Sequence, residues 1–224
     1  MKLNQNTQDI LKNFSLINTN ILIKEGTELS TISTMRNIFA KATITESFEK
    51  EFGVYDLNQF LSVVSSLNKP ELNLQDKFMT IASEGSKSKV KYFYSDPSVI
   101  VAPTKEVNMP EADVTFSLSE SNLKELLKMA AILATPDLAL VGEKGGDVVL
   151  KVCDKKNDTS NNFDIVVGEN ATADYTFYFK VENMKMISGD YDVSVSSKSI
   201  SHFQNTKLPI QYWIALEPDS NISK

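Results

Sequence analysis

The sequence predicts an α+β protein built from two similar domains, each a pair of helices packed on antiparallel sheet. Three observations carry this. Four short segments have helical periodicity, and the stretches between them alternate apolar and polar residues with turn punctuation. A proline-rich break, Val101-Ala-Pro-Thr-Lys-Glu-Val-Asn-Met-Pro-Glu111, divides the chain into halves with a similar order of elements. A length of 224 residues suits one large domain or two small ones. The expected boundaries are 1–102 for the first domain, 103–112 for the connector and 113–224 for the second.

Each helix follows from its spacing. From Thr7 to Ile17, residues Ile10, Leu11, Phe14 and Ile17 share one face. From Asp56 to Leu67, the stripe is Leu57, Phe60, Leu61 and Val64, with Asp56 as N-cap and Gln59 at N3. Ser119 to Leu133 carries Leu123, Leu126, Leu127 and Ala130 on one side. The fourth, Val181 to Ile187, is short and ends before Gly189. Between them, Leu72-Asn-Leu-Gln, Phe78-Met-Thr-Ile-Ala and Val148-Val-Leu-Lys-Val read as strands of antiparallel hairpins.

With 42% hydrophobic and 23% charged residues, the composition is that of a globular chain. No window approaches 18 consecutive apolar residues, so no membrane-spanning helix is expected. One cysteine allows no internal disulfide, and the opening MKLNQNTQDI lacks the apolar core of a signal peptide, so a reducing, cytoplasmic setting is expected. In that setting the sequons at Asn157 and Asn170 are chance matches.

Catalytic constellations are scarce. One His and one Cys cannot supply a zinc site. Cys153 alternates within a strand pattern as a small buried residue, and His202 lies in a polar, loop-like stretch. Gly145-Gly146 has neither the Lys-Ser/Thr nor the helix of a phosphate-binding loop and reads as a hairpin turn. The acids sit in caps and turns, as at Asp96-Pro97, Asp137 and Asp190. No catalysis, cofactor or metal is expected.

The formal charge, 23 basic against 29 acidic residues, is −6 and argues against a nucleic-acid partner when taken as one number. It is unevenly spread. Residues 1–110 hold 12 basic and 12 acidic residues, and residues 111–224 hold 11 and 17. The helical segments carry Lys2, Lys12, Lys69, Lys124, Lys128 and Lys185 against Asp9 and Glu125, before the cap-region acids Asp56, Glu120 and Glu182 are counted. Lysines on a helix's solvent face are common. On several helices lining one surface they would meet phosphates without reading bases.

Met1-Lys-Leu, Leu11-Lys-Asn-Phe14, Tyr55-Asp-Leu-Asn58, Asp96-Pro-Ser98 with Val101-Ala-Pro103, Asn183-Met-Lys-Met186, Gly189-Asp-Tyr191 and Ala215-Leu-Glu217 together resemble the DNA polymerase sliding clamps of T4-type bacteriophages. The resemblance runs end to end. It implies two clamp domains per chain and a head-to-tail homotrimeric ring, with helices lining a hole that holds duplex DNA. It implies tethering of the replicative polymerase and opening by an ATP-driven clamp loader, with no enzymatic activity. A role with late-transcription factors also fits the resemblance, and the setting would be the cytoplasm of the infected bacterium.

By the same resemblance the DNA-facing residues are Lys2, Lys12, Lys124, Lys128 and Lys185. Gln5 and Ala131 depart from it, standing where such clamps tend to carry a basic residue. Partner peptides would dock at Val107, Met109, Pro110, Trp213, Ile214, Leu216 and Pro218, although core packing accounts equally for Trp213, Ile214 and Leu216. Edge strands at Val90 to Tyr94 and Phe163 to Val167 are candidates for joining protomers. The alternative function is a phage structural or assembly ring with no DNA in its hole. A carboxylate-only enzyme ranks last.

Overall fold

The computed structural model describes residues 1–223. They form two compact units, one spanning Met1–Glu106 and the other beginning at Val107. In the first unit, helix α1 (Gln5–Ile17) is followed by β1 (Ile21–Ile23), β2 (Gly26–Ile32), β3 (Ile38–Phe48) and β4 (Phe52–Val54). Helix α2 (Leu57–Ser66) and strands β5 (Pro70–Leu74), β6 (Phe78–Ser83) and β7 (Lys89–Phe93) complete it. The second unit opens with β8 (Val114–Leu118) and α3 (Glu120–Leu133), then β9 (Asp137–Gly142), β10 (Val148–Cys153), β11 (Phe163–Gly168) and β12 (Tyr175–Lys180). A 3-10 turn, Val181–Asn183, leads to β13 (Tyr191–Ser196), β14 (Ile200–Asn205), β15 (Ile210–Ala215) and β16 (Asn221–Ile222). Setting β8 and β16 aside, the units share one order: a helix, four strands, a helix or turn, three strands.

The pairings within each unit are antiparallel. In the first unit β1 pairs with β4, β2 with β3, and β5, β6 and β7 follow one another. In the second, one sheet has the order β11-β10-β9-β12-β16, and β15, β14, β13 and β8 are successive neighbours. The Glu143–Asp147 connection is a tight turn, with Gly145 at φ 82° and Gly146 N–H donating to Glu143 O at 2.8 Å. A strand follows it, so no phosphate-binding loop is formed.

The three helices begin at side-chain caps. Asn4 Oδ1 accepts from Thr7 N at 2.8 Å, Asp56 Oδ1 from Gln59 N at 2.8 Å, and Ser119 Oγ from Asn122 N at 3.2 Å. Each buries most of the stripe that its spacing predicts, with Leu61 of α2 and Leu127 of α3 only half-buried. Ile10, Leu11, Phe14 and Ile17 of α1 are buried where it packs on α2 and β3. Leu123, Leu126 and Ala130 of α3 are buried over β10 and β11. Each such Leu, Ile or Phe side chain contributes about 1.5–3 kcal/mol on leaving water.

The fourth predicted helix is absent. Only Val181–Asn183 turns, and the chain from Met184 to Asp190 is irregular. A segment this short cannot recover the cost of helix nucleation from its own hydrogen bonds. Side chains bind its backbone instead: Ile187 N–H donates to Tyr212 Oη, and Ile187 O accepts from Tyr191 Oη.

Leu126 is fully buried on α3. Leu126→Ala should destabilise the protein by about 2–5 kcal/mol, read by chemical unfolding. A loss under about 1 kcal/mol would mean that α3 is not pressed onto its sheet.

Candidate nucleic-acid interface

Because each helix commits its apolar stripe to a sheet, its opposite face is left to solvent. On α1 that face carries Gln5, Asp9 and Lys12, and on α2 it carries Asn58, Gln59, Ser62 and Ser65, all exposed. The two helices flank a cleft of about 370 Å³, lined by Gln5, Gln8, Asp9 and Lys12 of α1 and by Asn58, Leu61, Ser62 and Ser65 of α2. Its chemistry is mostly neutral donors and acceptors with a single cation. Gln5 Nε2 donates to Asp9 Oδ1 at 2.9 Å, so the residue standing where such clamps tend to be basic is tied to the local acid.

On α3, Lys124, Lys128 and Ala131 are exposed. Lys124 Nζ is ion-paired with Glu120 one turn earlier. Such an exposed pair contributes well under about 1 kcal/mol and yields readily to a phosphate. Lys185 is exposed in the irregular segment after the 3-10 turn rather than on a helix. That turn lies beside α3: Leu127, Ala130, Ala131 and Ala134 share a cleft with Val181 and Glu182.

Lys2 differs from the others. It precedes α1, and its Nζ bridges Glu71 at 3.2 Å and Glu84 at 3.1 Å. Hydrogen bonds to Glu84 and then Glu71 raise its pKa. Two acids already occupy this cation, so it is less available to a phosphate than Lys12 or Lys128.

The residues considered for a peptide pocket divide by burial. Ile214 is 0% and Leu216 6% exposed, which makes both core residues. Val107, Met109 and Pro110 are half-buried and Pro218 is exposed. Trp213 is 8% exposed and stacks on His202, with ring centroids 4.6 Å apart. His202 therefore belongs to a strand, β14, and not to the loop that its polar neighbours imply. The alternation is hidden because the inward residues Ser201 and Asn205 are polar. Ser201 Oγ donates to Ile214 O at 2.8 Å, and Asn205 Oδ1 accepts from Lys207 N and Leu208 N.

A buried ion pair escaped the sequence reading. Asp137, placed there in a turn, starts β9 at 1% exposure and accepts from Lys180 Nζ at 2.5 Å and Lys155 N at 3.1 Å. Lys155 Nζ reaches Glu217 at 3.3 Å and Asp219 at 2.7 Å, pinning the segment that holds Leu216 and Pro218. Only the spacing of a strand-initial Asp from a strand-final Lys in a neighbouring strand could have signalled it. Cys153 is half-buried, and burial with Asp137 nearby pushes its thiol pKa up, so it stays protonated and poorly nucleophilic at neutral pH. Among the described residues no His, Cys, Asp and Glu cluster could hold a metal.

Two units of helices on antiparallel sheet define the clamp class of fold. The structure matches an A. fulgidus PCNA, solved with the C-terminal region of FEN-1 bound, at a TM-score of 0.69, with 14% identity and 96% of each chain covered. Residues 3–102 match the family described as DNA polymerase processivity factor, and residues 115–218 match gp45 sliding clamp, C terminal. The sliding clamp of Vibrio phage KVP40 is 32% identical over 222 residues, covering 97% of this chain and 99% of that one. That of Enterobacteria phage T4 is 28% identical over 227 residues, covering 98% of both. The chain belongs to the phage sliding-clamp family and acts as a DNA polymerase processivity factor.

Burial lowers the His202 pKa from its ordinary 6.5, with the Gln211 hydrogen bond pulling partly the other way. The folded state thus prefers neutral His202, so its stability contribution is intact above pH 6.5 and is lost as pH falls below that. His202→Gln should flatten the fall in Tm between pH 7 and pH 5 relative to the parent. Parallel curves for the two proteins would exclude His202 as a contributor.

Proposed function

We propose that three copies close head to tail around duplex DNA, with the outward faces of α1, α2 and α3 toward the duplex. The observation that carries this is the end-to-end similarity to phage sliding clamps, combined with exposed Lys12, Lys124 and Lys128 on the helix faces turned away from the sheets. Lys185 joins them from its loop, and Lys2 is a minor contributor held back by Glu71 and Glu84. Retention is topological. Neutral donors on α2 and a few lysines give weak contacts with phosphate, and tight ones would hinder sliding.

The protein has no catalytic role in this reading. It tethers the replicative polymerase, is opened and closed by an ATP-driven clamp loader, and acts in the infected bacterium, where late-transcription factors are further partners. Peptides from these partners dock near Val107, Met109, Pro110 and Pro218, with Trp213 at the edge of the site. The A. fulgidus clamp solved with a partner's C-terminal region supports peptide docking of this kind.

Ring closure uses two open edges. Strand β7 pairs only with β6, and β11 only with β10, among the described residues. Val90 and Phe93 on β7 and Val166 on β11 are exposed apolar residues on those edges. Lys89 and Lys91 on the first and Asp164 on the second add opposite charge. Pairing β7 of one protomer with β11 of the next would cover both.

Clamp loaded on nicked circular DNA should stay bound through gel filtration and be released once the circle is linearised. Equal retention on both forms would favour adhesive binding, and no retention on either would favour a ring without DNA. Lys124→Glu with Lys128→Glu should shorten polymerase runs while light scattering still reports three chains. Phe93→Asp should instead reduce the particle to single chains; an unaltered trimer would remove β7 from the interface.

A further inference from the structure

The segment from Met184 to Asp190 takes the place that α2 has in the first unit, yet it has no regular secondary structure. It is nevertheless held at several points. Asn183 and Met184 are buried at its start. At its end Gly189 has φ 157°, and a side chain there would run into the Asn205 amide, 2.4 Å from an added Cβ. Asn205 is itself fixed, accepting from Lys207 N at 3.0 Å and Leu208 N at 2.8 Å.

The strongest tie is at Ile187, where both backbone groups bind side chains. Its N–H donates to Tyr212 Oη at 3.1 Å, and its carbonyl accepts from Tyr191 Oη at 2.5 Å. The tyrosine rings pack edge to face with centroids 6.1 Å apart, and both residues are 0% exposed. The result is a two-bond circuit through Ile187, whose N–H is taken by Tyr212 Oη and whose carbonyl is taken by Tyr191 Oη, with the two rings in contact. Burial pushes the Tyr191 pKa up to about 12 and raises that of Tyr212 as well, so both stay protonated across the physiological range.

Lys185 lies two residues before Ile187, exposed, on the short span between the buried Met184 and this circuit. We infer that Tyr191 and Tyr212 are positioning residues for the Lys185 contact with DNA phosphate: they hold in place, without a helix, the backbone that presents the ammonium group. This rests on the placement of Lys185 at the DNA face. A lysine on a loose loop would spend its side-chain and backbone entropy at each phosphate it meets, whereas a fixed backbone leaves only the side chain to order.

The test is a double-mutant cycle on the loaded clamp, reading polymerase run length and its dependence on salt. Tyr191→Phe removes one hydroxyl and keeps the ring. It should shorten runs by roughly twofold to tenfold, the effect of losing one modest hydrogen bond. Lys185→Ala should shorten runs comparably, and the double variant should be no worse than Lys185→Ala alone. Hydrogen exchange should rise at residues 184–189 in Tyr191→Phe and remain unchanged in α3. Effects that multiply in the double variant, or a Tyr191→Phe run length equal to the parent's, would overturn the positioning role. If Lys185→Ala is silent while Lys124→Glu with Lys128→Glu is not, the placement of Lys185 on the DNA face fails, and the inference with it. Tyr212→Phe, which breaks the same circuit at its other hydroxyl, supplies the cycle if Tyr191→Phe does not fold.

Discussion

The burial of one apolar stripe per helix against antiparallel sheet fixes the direction of every other side chain on that helix. Once Ile10, Leu11 and Phe14 are pressed inward, Lys12 has only the solvent side left. Once Leu123, Leu126 and Ala130 are buried, Lys124 and Lys128 follow on theirs. The polar face needs no evolution of its own geometry, because the core sets it. What remains open to selection is the identity of the outward residues, and α2 shows how little charge that face carries: asparagine, glutamine and serine alone. A polyanion meeting such a surface finds many weak donors and few cations, the condition under which a contact can be exchanged continually for the next.

The same constraint explains which parts were legible in the sequence. Helices α1, α2 and α3 were readable because periodicity and capping act within a dozen residues, and Asn4, Asp56 and Ser119 close their helices as short-range rules demand. The segment after β12 was misread because its partners are remote. Tyr191 and Tyr212 supply the hydrogen bonds that a helix would have made internally, and no local signal distinguishes a backbone bonded to distant hydroxyls from one bonded to itself. His202 was misplaced for a related reason, since Ser201 and Asn205 point inward while being polar. The ion pair of Asp137 and Lys180 joins residues 43 positions apart and was invisible for the same cause.

At the site the division is similar. The outward lysines of α1 and α3 could be named from periodicity, whereas the two acids that hold Lys2 lie on β5 and just beyond β6, far along the chain. Trp213, Ile214 and Leu216 could not be assigned between core and pocket, because strand alternation tells that faces differ without telling which one is covered. Burial decides it: Tyr212 and Ile214 are both 0% exposed, and Trp213 turns to His202 on the other face.

Net charge is the last quantity whose meaning depends on place. An excess of six acids is unfavourable for adhesive binding to DNA. A ring that holds DNA by enclosure has a different requirement, since its affinity comes from closure and its bore has only to avoid repulsion. On the helix faces Glu120 is paired with Lys124 and Asp9 is tied to Gln5, while Glu125 of α3 stays exposed. The unbalanced acids fall within residues 111–224, where sheet and turn residues such as Asp147, Asp158, Asp164 and Glu169 carry them. Acidity in those positions is unfavourable for nucleic acid wrapping the outside, so a net charge that argues against adhesive binding is compatible with DNA held by enclosure.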